Sequence, residues 1–397
     1  MDIGFEGFET TDFDVDVEDV VVKKTKTYDR IWKMGKGGSI DGSPVIKDGV
    51  LYFGSCDQYV YAVDISRGKE VWRIKTDGMI TATPFFYKDV FFIGSFDGKF
   101  YAIDSKKGEI VWTFKTGGQI FVSGVLGKEE LYFGSKDGYV YCISLKGKEL
   151  WRFKTGGPIA SLPRFYEGKL YVTSYDHNMY CLDAESGKEL WRFRTGDEMV
   201  NDVEFCIYNG KIFFASMDSF VYAVNVETGE LVWQKKTGNF GNSGGNPTVR
   251  EGVLYHGSRS GVLYAIDPDT GKEFWQFRAG GAIIDQSYLL YKGQIIFGCE
   301  DGNLLAVSTE GKELWRFKTG GKIYTEPLIH DGIVYFGSWD CHIYALNLRI
   351  KKEVWRFATS NLTPTYKPPV HGVFEVEINK ETHIEEPISE EKYKSKK

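Results

Sequence analysis

Several features that mark common protein classes are missing from this sequence. No apolar run reaches the 18 or more residues of a membrane-spanning helix. The six cysteines include neither a CxxC pair nor two adjacent cysteines, so zinc-finger spacing is absent and reduced thiols are expected. The six histidines fall in no recognisable catalytic motif, and only 11 of the 397 residues are proline. A membrane-spanning protein and a Ser/His/Asp or Cys/His enzyme are therefore not indicated.

An excess of basic charge is also missing. The net charge is −6, whereas a protein that binds DNA or RNA usually relies on Lys and Arg for phosphate contacts, so a nucleic-acid partner is not expected. The first six residues, Met1 to Glu6, have neither a basic start nor an apolar core, so we expect no secretory signal and a cytoplasmic location. The hydrophobic fraction of 42% and the charged fraction of 26% are those of a soluble globular protein.

The sequence does contain a repeat. Trp residues return at intervals of 39 to 42 residues, and the text Gly-Lys-Glu-x-Trp-Arg surrounds several of them. Each repeat holds four short β-rich runs separated by turns, and none shows a helical period of 3.6 residues. The pattern predicts an all-β fold, an eight-bladed β-propeller of four-stranded antiparallel blades. The Trp residues of the series are Trp32, Trp72, Trp112, Trp151, Trp191, Trp233, Trp275, Trp315 and Trp355.

One copy of the Trp-bearing strand is spare. This strand occurs nine times, whereas the three strands that accompany it occur eight times. The spare copy is either Arg30 to Lys36 or Lys352 to Thr359, and the sequence does not decide between them. The N-terminal copy is able to close the ring beside blade eight, because joining the two ends of the chain removes an exposed sheet edge.

The segment Ala265 to Trp275, AIDPDTGKEFW, resembles the A-x-D-x-x-T-G-K-x-x-W repeat of the pyrroloquinoline-quinone (PQQ) enzyme family. The resemblance covers about residues 30 to 360. It includes similarity to the propeller lipoprotein of the outer-membrane barrel-assembly machinery, although we expect neither a signal nor a lipidated cysteine here. It also implies that Trp rings dock onto the neighbouring blade. The docking residues are Trp72, Trp112, Trp151, Trp191, Trp233, Trp275, Trp315 and Trp355.

The resemblance does not imply that PQQ is bound, because many proteins with this repeat are not enzymes. The quinone enzymes of the family typically have longer chains with insertions between strands, and many have a bridged pair of adjacent cysteines over the cofactor. This chain has nearly minimal repeats and no such pair. We therefore expect no cofactor and no catalysis. The alternatives are a small-ligand or metal sensor in the central channel and a PQQ- and Ca²⁺-dependent dehydrogenase.

The turn between the second and third strands, G-S-x-D-G, is the candidate binding site. By analogy with other propellers, it shares one face with the connections between blades. Gly, Ser and Asp serve the turn, whereas x varies and includes aromatic residues and Arg, which dominate binding hot spots. The alternative is that these side chains pack against the next blade's loop. The predicted partner-binding face consists of Phe96, Lys136, Tyr175, Met217, Arg259 and Trp339.

Two sets of residues are candidate metal ligands. Carboxylates that converge on a channel bind Ca²⁺ or Mg²⁺, and the alternative is a hydrated acidic channel. Thiols on consecutive blades bind a soft metal, but ordinary buried substitution explains them more simply. The carboxylates are Asp41, Asp285 and Glu326 on blades one, seven and eight, with Asp202 and Glu204 elsewhere. The thiols are Cys56, Cys299 and Cys341, whereas Cys142 and Cys181 replace Ala in third strands and are predicted core residues.

The remaining segments depart from the repeat. The connection Thr237 to Pro247 is two residues longer than the others, and it either offers backbone N–H groups to an anion or is a tolerated insertion. We predict an acidic N-terminal extension over residues 1–29, the propeller over 30–360 and a charged tail over 361–397, with one possible strand in each end, within 14–27 and over 373–378. The expected function is a non-catalytic scaffold that binds a protein partner.

Overall fold

The computed structural model describes residues 20–23, 38–199, 205–238, 245–284, 287–359 and 375–378. Eight four-stranded antiparallel sheets follow one another along residues 45–358, and each is contiguous in sequence. The described residues contain no helix, and hence none that is long and apolar enough to cross a membrane. The predicted eight-bladed β-propeller with four-stranded blades is confirmed.

The four strands of each blade are ordered in the sheet as they are in the sequence. The inner strands are Val45–Lys47, Phe85–Tyr87, Val125–Leu126, Arg164–Tyr166, Cys206–Tyr208, Thr248–Arg250, Leu289–Tyr291 and Leu328–His330. The second strands are Val50–Gly54, Val90–Gly94, Glu130–Gly134, Lys169–Thr173, Lys211–Ala215, Val253–Gly257, Gln294–Gly298 and Ile333–Ser338. The third strands are Tyr59–Asp64, Lys99–Asp104, Tyr139–Ser144, Asn178–Asp183, Phe220–Asn225, Val262–Ile266, Asn303–Ser308 and His342–Asn347. The outer strands are Lys69–Lys75, Glu109–Lys115, Glu149–Lys154, Glu189–Arg194, Leu231–Lys236, Glu273–Arg278, Glu313–Lys318 and Lys352–Ala358.

The core consists of the layers between neighbouring blades. Second and third strands are buried on both faces, so they read as continuous apolar runs rather than as alternating ones. At the first junction, Tyr52 and Ala62 of blade one pack with Phe91 and Ile103 of blade two. The sheets are therefore stabilised by burial of apolar surface between blades, the dominant favourable contribution to folding.

A β-bulge in every outer strand fixes the position of its Trp. In blade two, Trp112 lies opposite Ala102, after which the register shifts so that Ile110 lies opposite Ile103 and Val111 has no partner. The residue opposite Trp is Ala or Cys in all eight blades, and a small side chain there leaves room for the indole ring. Blades three and four use Cys142 and Cys181, which are buried, so their predicted core role is confirmed.

Each Trp ring docks onto the turn before the next blade's outer strand. Trp72 donates its indole N–H to the carbonyl of Ser105 at 3.0 Å. Gly108 lies under the ring, where a Cβ would come within 2.7 Å of the indole, and its φ of +68° also favours glycine. Trp355 repeats the contact on the carbonyl of Ile65 at 2.9 Å and so closes the ring between blades eight and one. The indoles that make this inter-blade bond are Trp72, Trp112, Trp151, Trp233, Trp275 and Trp355.

Two of the eight docked indoles depart from this pattern. Trp315 donates instead to the side-chain oxygen of Gln294 at 2.8 Å. Lys351 replaces the glycine under its ring, adopts a φ of +56°, and holds its ammonium 4.9 Å from the ring centre. Trp191 has a buried N–H without a hydrogen-bond partner among the described residues. The ring contact therefore persists even where the hydrogen bond is lost.

The C-terminal copy of the Trp strand completes blade eight. Lys352–Ala358 pairs with His342–Asn347 along its whole length. The hydroxyl of Thr359 then donates to the carbonyl of Gly38 at 2.8 Å, and the ring of Phe357 lies edge-on to Tyr61 of blade one at 5.7 Å. The other copy, residues 30–36, lies outside the described residues.

A separate two-stranded sheet joins segments from the two ends of the chain. Val20–Lys23 pairs antiparallel with Glu375–Ile378, with Val20 opposite Ile378. Both strands fall in stretches where the sequence indicates a strand, but their pairing with each other was not expected. The chain divides into one unit of residues 1–34 with 368–397 and another of residues 35–367. The predicted boundaries at residues 29/30 and 360/361 stay predictions.

The docking contacts predict different costs for two otherwise equivalent Trp residues. Replacing Trp151 by Ala should lower the free energy of unfolding by about 3–5 kcal/mol, as for a large aromatic side chain lost from a packed contact. Replacing Trp151 by Phe removes one of the two hydrogen bonds that the carbonyl of Ala184 accepts, the other being donated by the hydroxyl of Tyr132, whereas Trp191→Phe removes an N–H that has no partner among the described residues. In denaturant unfolding, Trp151→Phe should cost about 1 kcal/mol more than Trp191→Phe. Equal losses would mean that the hydrogen bond contributes nothing to docking.

Candidate functional site

The turns between second and third strands and the connections between blades form one surface, which we call the loop face. In seven of the eight turns, within the described residues, the backbone N–H of the variable residue donates to a carbonyl of the connection that leads into the same blade. Lys136 donates to Gln119 at 2.9 Å, and Trp339 donates to Lys322 at 2.8 Å. These bonds hold the two kinds of loop together, as the analogy with other propellers predicts.

The Asp of the turn motif is structural. The carboxylate of Asp137 accepts hydrogen bonds from the N–H of Tyr139 at 3.0 Å, the hydroxyl of Tyr141 at 2.7 Å and the N–H of Gly117 at 2.8 Å. The turn is therefore tied to its own third strand and to the end of the preceding blade. The bond between turn Asp and Tyr hydroxyl measures 2.5–2.7 Å in six blades, at Asp57, Asp97, Asp137, Asp176, Asp218 and Asp340.

The variable residues of blades two to four form an apolar sector of the loop face. The rings of Phe96 and Phe121 are 4.1 Å apart and both are buried. The ammonium of Lys136 lies 3.8 Å from the ring centre of Phe121 and 5.3 Å from that of Tyr175, within cation–π range of both. The apolar sector, defined by Met79, Phe96, Phe121, Val122, Lys136, Ala160 and Tyr175, thus presents one cation on an aromatic base.

A polar sector occupies the loop face of blades seven, eight and one. Lys322 forms an ion pair with Glu300 at 3.0 Å, and the hydroxyl of Tyr324 donates to the same carboxylate. The indole of Trp339 lies edge-on to Tyr324 at 4.7 Å and donates its N–H to Asp41 of the first blade. This polar sector, which consists of Asp41, Cys56, Glu300, Lys322, Tyr324 and Trp339, is held together by internal hydrogen bonds.

Asp41 is a carboxylate of the loop face with a strongly shifted pKa. Burial raises its pKa to about 6, and hydrogen bonds from Trp339 and Cys56 oppose the rise because they stabilise the charged form. The thiol of Cys56 lies 3.6 Å from the carboxylate, and burial raises the pKa of this thiol well above its usual value. Asp41 is therefore a hydrogen-bond acceptor at the junction of blades eight and one.

The structure places the predicted partner-binding residues at different depths. Trp339 is 2% exposed and Phe96 is 8% exposed, because each packs against a connection between blades. The other predicted residues are partly exposed: Lys136, Tyr175, Met217 and Arg259. The alternative of packing against loops therefore describes Phe96 and Trp339. Partner binding by the six residues stays a prediction.

The candidate metal ligands are not brought together within the described residues, in which no three His, Cys, Asp or Glu side chains could hold a metal ion. Asp41 binds Trp339, and Glu326 lies 3.7 Å from Arg250, an ion pair that is partly exposed and therefore weak. Asp285 lies outside the described residues, as do Asp202 and Glu204. Cys56, Cys299 and Cys341 are all free thiols. The described donor set does not fit a bound Ca²⁺ ion.

Two arginines on inner strands, Arg164 and Arg250, were not among the residues selected from the sequence. The side chain of Arg164 donates to the carbonyl of Phe205 in the next blade at 3.3 Å, and Arg250 is the partner of Glu326. Both charges lower the pKa of the Cys206 thiol, although burial is the larger effect and the pKa rises to about 11. A break in the repeat is the available signal, since most inner strands begin with an apolar residue where blade four has Arg164.

His256 is a buried polar residue, and no pattern in the sequence singled it out. It is 0% exposed, its Nδ1 donates to the carbonyl of Gly245 at 2.9 Å, and its Nε2 accepts from the hydroxyl of Thr237 at 3.2 Å. Burial lowers its pKa to about 4, so the ring is neutral near pH 7. The equivalent residue in other second strands is most often Phe, as at Phe53 and Phe133.

Contiguous four-stranded blades, docked Trp rings and the hydrogen-bonded turn motif define a Trp-docking β-propeller built from PQQ-type repeats. A family model described as outer membrane protein assembly factor BamB matches residues 18–136, 136–279, 218–310 and 259–372. The chain belongs to this family, which confirms the resemblance seen in its repeats.

Solved structures show the same architecture. BamB from Moraxella catarrhalis is 15% identical and matches with a TM-score of 0.64, covering 83% of this chain and 97% of that one. The computationally designed protein Ika8 is 14% identical with a TM-score of 0.66, covering 80% of this chain and 96% of that one. At such identities the likeness shows the fold alone. Among curated proteins there is no significant match.

The buried imidazole predicts a loss of stability in acid. The pKa of His256 is about 4 in the folded protein and 6.5 without burial, so between these values the unfolded chain takes up a proton that the folded chain does not. Stability contributed by this group should fall by up to about 3 kcal/mol as the pH drops from 6.5 to 4. His256→Phe should remove that part of the pH dependence in denaturant unfolding.

Asp41 changes the stability with pH in the opposite direction to His256, so the experiment must separate the two contributions. Its raised pKa of about 6 means that the folded chain takes up this proton first, so its contribution to stability rises as the pH falls from 6 towards 4. Both proteins contain Asp41, so its contribution cancels when the free energy of unfolding of His256→Phe is subtracted from that of wild type at each pH. If that difference does not change between pH 7 and pH 4.5, the imidazole is not held neutral by burial.

Proposed function

We propose that this chain is a non-catalytic scaffold that binds a protein partner through its loop face. One observation carries the proposal: the recurring residues of the turns are used in hydrogen bonds that hold the loops, whereas the variable residues differ from blade to blade. A rigid frame that presents six different, partly exposed side chains on one surface is suited to recognising a partner. The family and the matching BamB structure support a protein-interaction role at this general level.

The apolar sector is the proposed centre of binding. Tyr175, Met79 and Val122 are partly exposed above the buried pair Phe96 and Phe121. Aromatic side chains on a preorganised base cost little conformational entropy when they bind, which is why Tyr is enriched at hot spots. In the polar sector, by contrast, Lys322 and Glu300 are paired with each other. The partner is therefore expected to contact the apolar sector first.

Two other functions remain as alternatives to the scaffold. A small-ligand or metal sensor would use the central channel, where Arg164, Arg250 and Glu326 supply charge. A PQQ- and Ca²⁺-dependent dehydrogenase would need carboxylates gathered around the ion, and the described residues offer no such group. The scaffold requires neither arrangement. The cytoplasmic location and the lack of a nucleic-acid partner stay predictions that rest on the sequence.

A photo-crosslinking residue at position 175 tests the scaffold directly. In the source cells, a variant with this residue in place of Tyr175 should crosslink to one defined polypeptide. The matched control carries the same residue in place of Lys292, which is exposed at a turn between first and second strands and away from the loop face. Crosslinking should be absent from the control variant.

Substitutions then measure the contribution of the sector to binding of the crosslinked polypeptide. Lys136→Glu and Tyr175→Ala should each weaken it at least tenfold, as for hot-spot residues, with thermal unfolding little changed because both side chains are partly exposed. Phe96 and Trp339 are avoided because their replacement would disturb packing. If position 175 captures no polypeptide and native mass spectrometry instead finds a retained small molecule or metal, the sensor or enzyme replaces the scaffold.

A further inference from the structure

The outer strands expose a ring of apolar side chains that the loop face does not use. The residue before each docked Trp has no partner on the third strand because of the bulge, and its side chain is 45–57% exposed. These residues are Val71, Val111, Leu150, Leu190, Val232, Phe274, Leu314 and Val354. Within the described residues each outer strand is also the last strand of its sheet. Such edges readily pair with another chain unless charge protects them.

In five blades an ion pair covers this edge. A Glu two residues before the Trp pairs with an Arg one residue after it, as Glu189 does with Arg192 at 2.6 Å and Glu313 with Arg316 at 2.6 Å. The same pair occurs in blades one, three and eight at 2.9–3.7 Å. Exposed pairs of this kind contribute little to stability. Their effect at an edge is to place charge where a second strand would have to desolvate it.

Blade two lacks this protection. The Glu is replaced by Ile110, which is 45% exposed, and the Arg by Thr113. The strand Glu109–Lys115, with sequence EIVWTFK, therefore carries charge only at its two ends and β-favouring residues between them. The bulge is common to all eight outer strands, so the edge of blade two is distinguished by its side chains and not by its backbone.

Blades five and six also lack the Glu–Arg pair, but unlike blade two they carry another ion pair on their outer strands. Blade five also has two exposed apolar residues, Leu231 and Val232, but its outer strand contains Lys235, which pairs with Glu273 of blade six at 3.3 Å. That ion pair keeps charge on both of these edges. Among the eight described outer strands, that of blade two is thus the one with no charged side chain from two residues before its Trp to two residues after it.

The charges at the ends of this strand complement a second copy of it. If two copies lie antiparallel with Trp112 opposite Trp112, Glu109 of each lies opposite Lys115 of the other. The equivalent arrangement in blades one, three, four, six and seven sets basic residues opposite each other, as with Lys69 and Lys75, and like charges directly opposite are destabilising. A two-fold contact places the same surface on both partners and therefore requires such self-complementarity.

We propose that the outer edge of blade two, residues 109–115, is a self-association surface through which two copies of this chain form a two-fold dimer. The contact buries Ile110 and Val111 of both copies and pairs Glu109 with Lys115 across the interface. It leaves the loop face of each copy facing away from the contact strand, so each dimer offers two partner-binding surfaces. The dimer does not depend on the proposed function.

Sedimentation equilibrium of the full chain over a range of concentrations tests the dimer. The weight-average mass of wild type should rise with concentration from 45.1 kDa towards twice that value. Val111→Lys should remain at the monomer mass. The matched control, Val71→Lys, changes a residue of nearly equal exposure on the protected edge of blade one, and it should associate as wild type does. Thermal unfolding checks that all the variants are folded.

A charge-reversal pair supplies a second readout. Glu109→Lys recreates the Lys/Lys arrangement of blade one and should abolish association, and the double variant Glu109→Lys with Lys115→Glu should restore it. A wild-type chain that stays monomeric at every concentration up to its solubility limit would overturn the proposal. So would a dimer that Val111→Lys and Val71→Lys weaken equally, because association would then use another surface.

Discussion

Docking of each Trp ring onto the next blade is the contact on which the rest of the propeller depends. It requires three features at once: a bulge that turns the indole inward, a small residue opposite it, as Ala62 is opposite Trp72, and a tight turn in the next blade, as at Gly108. The Trp and the glycine of one contact, such as Trp72 and Gly108, are a little less than one repeat apart, which explains why the spacing of the Trp residues varies so little. Because the same contact joins Trp355 to blade one, the ring closes without any additional device. Lys351 shows that the glycine is replaceable where a side chain can lie over the ring instead.

The repeat made the fold predictable because each recurring residue has a recurring contact. The period, the four strands per unit and the structural role of the turn Asp all follow from residues that return in every blade. The choice between the two spare strands does not, since both copies contain Trp followed by a basic residue. What separates them is contact with blade one: Phe357 lies against Tyr61 and Thr359 bonds Gly38, whereas residues 34 and 36 at the same positions are Met and Lys. Those contacts join residues that are almost 300 or more positions apart, and a local pattern does not reveal them.

The candidate site was predictable as a surface but not as a set of exposed side chains. The turn motif identifies the variable positions, yet whether one is buried depends on the connection beside it. Phe96 is buried because blade three supplies Phe121, and Trp339 is buried because Tyr324 and Asp41 lie against it. Asp41 is a plausible metal ligand by residue type alone. Its hydrogen bond to an indole on the last blade gives it a different role, which only the three-dimensional arrangement shows.

The closure between blades eight and one has a consequence for the order of the chain. Every blade is contiguous in sequence, and no strand is shared between the first and last blades among the described residues. The junction between Trp355 and the turn at Ile65 is therefore a ring contact of the same kind as the seven others, except that no chain connection accompanies it. In topological terms the ring consists of eight similar inter-blade contacts, and the two ends of the propeller's chain segment lie at one of them. The fold does not specify at which contact those ends must lie, so a circularly permuted chain that begins at another blade connection keeps all the inter-blade contacts described above.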